Sequence, residues 1–379
     1  MNTRRKNSTQ QTPMASRRGF LRAGGLVAIS TFVPSLGCDS NAVSILNTPT
    51  GPDMDQMPAS PIISNGDFYL QSINGQNYDP RLKAQNWSLR IDGLVERPQM
   101  ALTYAAVTGM PLQRQVLTMQ CTGNWIGGPL VGNAEWGGTR FAHLLEDVGV
   151  RGAAIRVKFT SVDGYTTSIP LDRAQRDNVL LVWEMNGEQL PSKHGYPVRL
   201  INPGHYGQKM PKWITRIELI DEVYLGYWES KPDGRDFNWS DEASATVNSR
   251  IDAPLSVWDD VKDPGNGGVM DSFQPLQGAI GEPYMIHGLA MAGERHVDLV
   301  EVSTDGGSTW SAAQILTRSE PNVWVSWAYN WQLPVSGRYE ILARATDAAG
   351  ISQPGIDAGV DLYDGRTGWH SVRVDVSSS

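Results

Sequence analysis

Cysteine is nearly absent: the 379-residue chain holds two, Cys38 and Cys121. Two cysteines cannot build a disulfide framework, so a fold of this size must rest on hydrophobic cores. Histidine is scarce as well, at six residues. No Cys-x-x-Cys-His haem attachment, zinc-ligand spacing, Gly-rich nucleotide loop or internal repeat occurs. Long apolar runs are missing too. The stretch 26–33 is well short of the ~20 residues that span a bilayer, which argues against a permanently membrane-spanning protein. Positive charge is in deficit, with 32 Lys and Arg against 40 Asp and Glu for a net −8. That balance disfavours nucleic acid and anionic membrane surfaces, and it favours a basic protein partner such as a small cytochrome.

What is present points to strands. Glycine (39), proline (23) and tryptophan (13) are plentiful, and 40% of the residues are hydrophobic, so the chain reads as a mostly β, α+β protein of two domains. Residues 1–37 stand apart from that fold. Arg4, Arg5 and Lys6 open a basic region, and Ser16-Arg17-Arg18-Gly19-Phe20-Leu21 precedes the apolar stretch. This pattern resembles a twin-arginine export signal, the route taken by folded proteins loaded with cofactor, and predicts a periplasmic location. The leader carries six basic residues and no acidic one, so its removal lowers the net charge from −8 to −14. Cys38 follows Leu36-Gly37, where a leader would be cleaved, and is either a lipid attachment site or a neighbour of plain cleavage. Cys121 is then a lone thiol in an oxidising compartment, a hazard unless it is buried or bound.

Residues 38–61, rich in Asn, Pro, Asp and Ser, read as a solvated linker. The fold is expected to begin near Ile62, with one domain over 62–245 and a second over 246–379. In the first, Ile155-Arg156-Val157-Lys158-Phe159 alternates as a strand does. Phe141, Leu144, Leu145 and Val148 recur at helical spacing and predict a helix over 141–148. In the second, Asp305-Gly306-Gly307 signals a hairpin. Tyr339, Ile341, Ala343 and Ala345 alternate with polar residues, as one strand of an immunoglobulin-like β-sandwich would.

Two clusters carry chemistry. Residues 115–120 read as a strand delivering Cys121 into Thr122-Gly123-Asn124-Trp125-Ile126-Gly127-Gly128. A thiolate at a strand end, followed by small residues, suits a soft metal; a buried inert cysteine is the plainer alternative. Further on, His194, Arg199, His205, Lys209 and Lys212 alternate with Gly, Pro and apolar residues rather than lying on one polar face. In an acidic protein that is a local basic pocket fitted to phosphate.

The string Met185-Asn186-Gly187-Glu188-Gln189-Leu190-Pro191-Ser192-Lys193-His194-Gly195-Tyr196-Pro197-Val198-Arg199, continuing through Pro203-Gly204 to Lys212-Trp213, closely resembles the molybdopterin-binding signature of sulfite oxidases. Cys121-Thr122-Gly123-Asn124 resembles their cysteine loop, and Asp67-Phe68-Tyr69 an early cofactor contact. Val302-Ser303-Thr304-Asp305-Gly306-Gly307 and Trp369-His370 resemble their C-terminal dimerisation domain. The resemblance implies a sulfite oxidase-type domain followed by a sandwich, a homodimer, and molybdenum on one molybdopterin with Cys121 as protein ligand and catalytic residue. It assigns cofactor binding to Tyr69, Gln71, Asp163, His194, Arg199, Met210, Pro211 and Lys212. Oxygen-atom transfer on sulfite, with electrons passed to a separate carrier such as cytochrome c, is the implied activity. The sequence departs from the family at three places. Trp125-Ile126 stand where Arg pairs are usual, Gln71 aligns with an Arg, and the active-site tyrosine position falls at Asp233, with Tyr227 as a substitute. Fewer cations would suit a neutral substrate, so reduction of an S-oxide such as oxidised methionine is a second reading. A cofactor-free binding module is a third.

Overall fold

The computed structural model describes residues 57–230, 239–254, 274–278, 280–355 and 367–378. The leader over 1–37, Cys38 and Asp233 lie outside the described residues. Among the described residues the first domain has ten strands: β1 (Ser88–Gly93), β2 (Gln99–Thr103), β3 (Gln113–Gln120), β4 (Val131–Arg140), β5 (Arg156–Ser161), β6 (Thr166–Pro170), β7 (Leu180–Met185), β8 (Glu188–Gln189), β9 (Arg199–Ile201) and β10 (Ile214–Ile220). Short helices α1 (Tyr104–Thr108), α2 (Phe141–Val148) and α3 (Leu171–Ala174) connect them. One sheet has the order β2-β1-β10-β5-β6; the other runs β3-β4-β7-β8, with β9 also paired to β7.

Strand alternation explains how these sheets share space. In β7, Leu181 and Trp183 enter the core formed with β1, β5, β10 and α2, while Leu180 and Val182 enter a second core, which Met185 joins past the register shift at Trp183. A strand buried on both faces must be apolar throughout, as Leu-Leu-Val-Trp is. In β9, Leu200 joins the first core and Ile201 the second. Arg199, two residues from Ile201, therefore points to the second side, where the cleft lies. Helix α2 matches the expected bounds and buries Phe141, Leu144, Leu145 and Val148.

The second domain is a β-sandwich of β11 (Asn248–Ala253), β12 (Gln274–Gly278), β13 (Pro283–Met291), β14 (Val297–Ser303), β15 (Ser311–Ala312), β16 (Gln314–Ile315), β17 (Val325–Gln332), β18 (Gly337–Asp347) and β19 (His370–Ser378). Its sheets have the orders β11-β13-β17-β16 and β12-β19-β18-β14-β15. Inward residues alternate, as Ile341, Ala343 and Ala345 do against Val372, Val374 and Val376. The Asp305-Gly306-Gly307 turn joins β14 to β15, with Gly306 and Gly307 at φ 70 and 92. Leu289 and Met291 of β13, together with Trp324, belong instead to the second core of the first domain, the one that holds Leu117, Met119 and Trp136.

The linker assigned to 38–61 is not free at its C-terminal end. The Pro58 carbonyl accepts the Arg318 N–H at 2.8 Å, and the Pro61 carbonyl accepts the Trp324 indole N–H at 3.1 Å. Composition read these residues as solvated, whereas their carbonyls serve as acceptors for the second domain.

Candidate active site

Strand β3 lies at the edge of its sheet and carries the thiol to the cleft. Alternation sends Met119 and Cys121 to the cleft side and Gln120 to the interface with the second domain. Past the strand, the Cys121 N–H donates to the Leu130 carbonyl at 2.9 Å, and the Asn124 N–H donates to the Cys121 carbonyl at 2.9 Å. The Asn124 side chain accepts the Leu130 N–H at 2.9 Å and closes the loop. Cys121 is free and half-buried. Removal from water pushes its thiol up to about 11, so with nothing bound it stays protonated at neutral pH.

Across the cleft, buried Arg199 is fixed at both ends of its guanidinium. Nη1 donates to the His194 carbonyl at 3.0 Å and Nη2 to the Met210 carbonyl at 3.1 Å, with Met119 Sδ at 3.3 Å. Its Nε has no hydrogen-bond partner among the described residues. Burial lowers Arg199 to about 10. His194 donates from Nε2 to the Asn65 carbonyl at 2.8 Å, which assigns the proton to that nitrogen; burial lowers its pKa to about 4, so the ring is neutral. Lys212, half-buried, donates to the Lys193 carbonyl at 3.0 Å and lies 4.1 Å from the centre of the Trp213 ring. Loss of solvent, and then the Arg199 charge, bring it down to about 7. Gly195 lets the His194 turn close over this pair. Its φ is 122, and a β-carbon there would meet Arg199 and Lys212 at 3.0 and 3.2 Å.

All nine residues expected from the sequence, Tyr69, Gln71, Cys121, Asp163, His194, Arg199, Met210, Pro211 and Lys212, line one cleft of about 700 Å³ counted to its open mouth. Tyr69 is held protonated, its phenol raised well above 10.0 by burial and then by Cys121. Burial likewise raises Asp163. Sequence reasoning missed Tyr165, Gln208, Trp228 and Trp239, which also line the cleft. The Tyr165 phenol donates to the Gln208 carbonyl at 2.5 Å, and the Gln208 side chain accepts the Thr122 hydroxyl at 2.6 Å. Trp228 and Trp239 stack at 4.5 Å, and Trp239 faces Gly123. Gln208 lies inside the 194–213 segment but is uncharged and so carried no signal of its own, while Tyr165, Trp228 and Trp239 lie outside both motifs and left no local signal.

Two members of the expected basic pocket are elsewhere. Lys209, 1% exposed, turns away to Glu229 at 2.7 Å and Asp241 at 2.9 Å. His205 stays beside the Pro203 carbonyl at 3.1 Å. Neither lines the cleft, because the 3-10 turn Gly207–Lys209 directs Lys209 into the interior.

These residues fit an anionic group that also carries a metal. Among the described residues Arg199 and Lys212 bond to carbonyls and sulfur, and Lys212 is attracted by Asp163 and Asp79 without an ion pair to either; a buried cation without an ion-pair partner calls for an anion. Among the described residues no three His, Cys, Asp or Glu side chains converge. A metal beside Cys121 would therefore take one soft ligand from the chain and the rest from an organic group.

Comparison with known proteins agrees. The oxidoreductase molybdopterin binding domain matches residues 76–228, and the Mo-co oxidoreductase dimerisation domain matches 271–377. The chain is 28% identical over 342 residues to the sulfite oxidase of Arabidopsis thaliana, covering 78% of this chain and 84% of that one. It is also 28% identical over 329 residues to an NADH nitrate reductase of Brassica napus, covering 75% of this chain and 36% of that longer protein. In fold it is similar to the sulfane dehydrogenase SoxCD of Paracoccus pantotrophus, with a TM-score of 0.67 over 86% of each chain at 22% identity. The chain is a molybdopterin-dependent oxidoreductase. It belongs to the sulfite oxidase family, whose cofactor is molybdenum on molybdopterin, and the cofactor-free binding module is set aside.

Proposed function

We propose that this protein is an exported enzyme that transfers an oxygen atom on a small sulfur oxyanion, sulfite by default, and passes electrons to a separate carrier such as cytochrome c. The observation carrying this reading is the convergence, in one cleft, of a lone thiol with two cations that form no ion pair with a carboxylate among the described residues. Bound there, the cofactor supplies a metal that exchanges an oxygen atom with substrate in a two-electron change. The chain's residues do the rest. Cys121 provides the soft ligand and gives up a proton in doing so. Arg199 and Lys212 hold the phosphate, and His194, neutral and oriented by Asn65, contacts the pterin together with Tyr69, Gln71, Asp163, Met210 and Pro211. Phe68, Met119 and the stacked tryptophans restrict water.

The catalytic domain spans 62–245, and the immunoglobulin-like sandwich over 246–379 pairs two chains. Arg17-Arg18 direct export to the periplasm, with Cys38 available for a lipid anchor. A second reading, reduction of a neutral S-oxide such as oxidised methionine, is favoured by the Trp228–Trp239 stack beside the cysteine loop and by Gln71 in place of an arginine. Sulfite-dependent reduction of cytochrome c, by protein of measured molybdenum content, tests the first. S-oxide-dependent oxidation of a reduced dye tests the second. Activity with the S-oxide alone would transfer the assignment, and nitrate-dependent dye oxidation alone would overturn both.

A further inference from the structure

Edge strands are positioned by whatever covers their open side. The open side of β3 is covered by the second domain. The Thr118 N–H donates to the Asn322 carbonyl at 2.8 Å, and the Thr118 hydroxyl accepts the Trp324 N–H at 2.8 Å. Beyond Cys121, the loop reaching Leu130 is clasped from the same domain. Arg250 of β11, itself 8% exposed, donates from Nη1 to the Gly128 carbonyl at 3.0 Å, while its Nε donates to Asp252 at 2.7 Å. His370, at the start of β19, accepts the Ile251 N–H on Nδ1 at 2.9 Å. The far side of its ring abuts Gly127, where an added β-carbon would land on the imidazole. The loop is compact enough to transmit these contacts. The Gly128 N–H donates to the Trp125 carbonyl at 2.7 Å, and the Asn124 N–H donates back to the Cys121 carbonyl at 2.9 Å.

We propose that Arg250 and His370 are positioning residues for Cys121, so that the second domain, beyond any part in pairing chains, sets how the thiolate meets the cofactor and thereby tunes the metal centre. The inference rests on Cys121 being the metal ligand. It implies that the two domains form one catalytic unit within a single chain.

The test uses the loaded, full-length enzyme carrying Arg250→Met, Arg250→Lys or His370→Asn. Molybdenum per chain and melting temperature establish folding and loading. The visible absorption of the thiolate–metal pair, its reduction potential and turnover per metal are then compared. Arg250→Met should stay loaded, shift the absorption and the potential, and lose turnover per metal by ~10- to 100-fold, the scale set by small misplacements of a reacting group. Arg250→Lys, which can still donate to one carbonyl, should recover part of each signal. His370→Asn keeps an acceptor for Ile251 but withdraws the ring from Gly127, and it should shift the same readouts. It decides the matter if Arg250→Met does not fold. Unchanged absorption, potential and turnover per metal in loaded variants would overturn the proposal. So would failure of both variants to fold, since the contacts would then serve domain packing alone. Wild-type behaviour of these variants alongside an inactive Cys121→Ser enzyme would remove this inference and leave the ligand assignment standing.

Discussion

Lys212→Met should stabilise the empty protein and weaken its hold on cofactor, two effects of opposite sign from one substitution. The side chain's pKa falls from 10.5 to about 7, first through loss of solvent and then through the Arg199 charge. A tenfold loss of proton affinity corresponds to about 1.4 kcal/mol. Holding the charge in the empty cleft therefore costs roughly 2 to 5 kcal/mol, the lower figure discounting for partial exposure. The sign follows from linkage. Between about pH 7 and 10.5 the unfolded chain binds more protons than the folded one at this site, so this group's penalty is complete below pH 7 and fades as pH rises. Methionine keeps much of the length and can still pack on Trp213. Denaturant unfolding of cofactor-free protein should accordingly show Lys212→Met more stable than wild type at pH 6, with the difference much reduced by pH 10. In loaded protein the missing charge-assisted contact, worth ~1.5 to 3 kcal/mol, should lower molybdenum retention. A variant less stable than wild type by the same amount at both pH values would refute the reasoning, because the lysine would then contribute packing and no charge penalty.

Cys121→Ser should fold and keep much of its molybdenum while turnover per metal collapses, since a hard oxygen replaces a soft sulfur donor; normal content with normal turnover would show an inert thiol. Arg199→Ala should do the reverse, lowering molybdenum per chain through loss of a contact worth ~1.5 to 3 kcal/mol, and unchanged occupancy would remove its cofactor role. Replacing Arg17 and Arg18 by lysine should strand the protein in the cytoplasm on cell fractionation, and normal export would end that assignment. Sedimentation at micromolar concentration should give paired chains, whereas a monomer would contradict pairing through the second domain.

Periodicity made local elements legible. Helix α2 lies where Phe141, Leu144, Leu145 and Val148 placed it, and β18 carries the predicted alternation of Tyr339, Ile341, Ala343 and Ala345. The cleft was legible through motif resemblance, which singled out Tyr69, Asp163 and Lys212 although no local rule links them. What could not be read was anything set by contact between distant segments. The strand ending at Cys121 was visible, but its edge position and its cover by Asn322 and Trp324 were not. Likewise, Arg250 and His370 gave no hint of their loop contacts, because tertiary packing fixes those partners.

The same limit explains Lys209, and it bears on how an acidic protein builds an anion site at all. A chain with net charge −8 repels oxyanions at long range, so attraction must be local. Other interior cations are neutralised by carboxylates: Lys209 by Glu229 and Asp241, Arg156 by Asp241, and Arg173 by Glu294. Among the described residues Arg199 and Lys212 bond to carbonyls, sulfur and ring faces, which orient a cation without cancelling it, and Asp163 and Asp79 attract Lys212 without forming an ion pair. The distribution of carboxylates, not the count of basic residues, thus decides where an anion can bind. Counting found the right segment, 194–213, but could not tell Lys209 from Lys212, because the acids that separate them arrive from elsewhere in the chain.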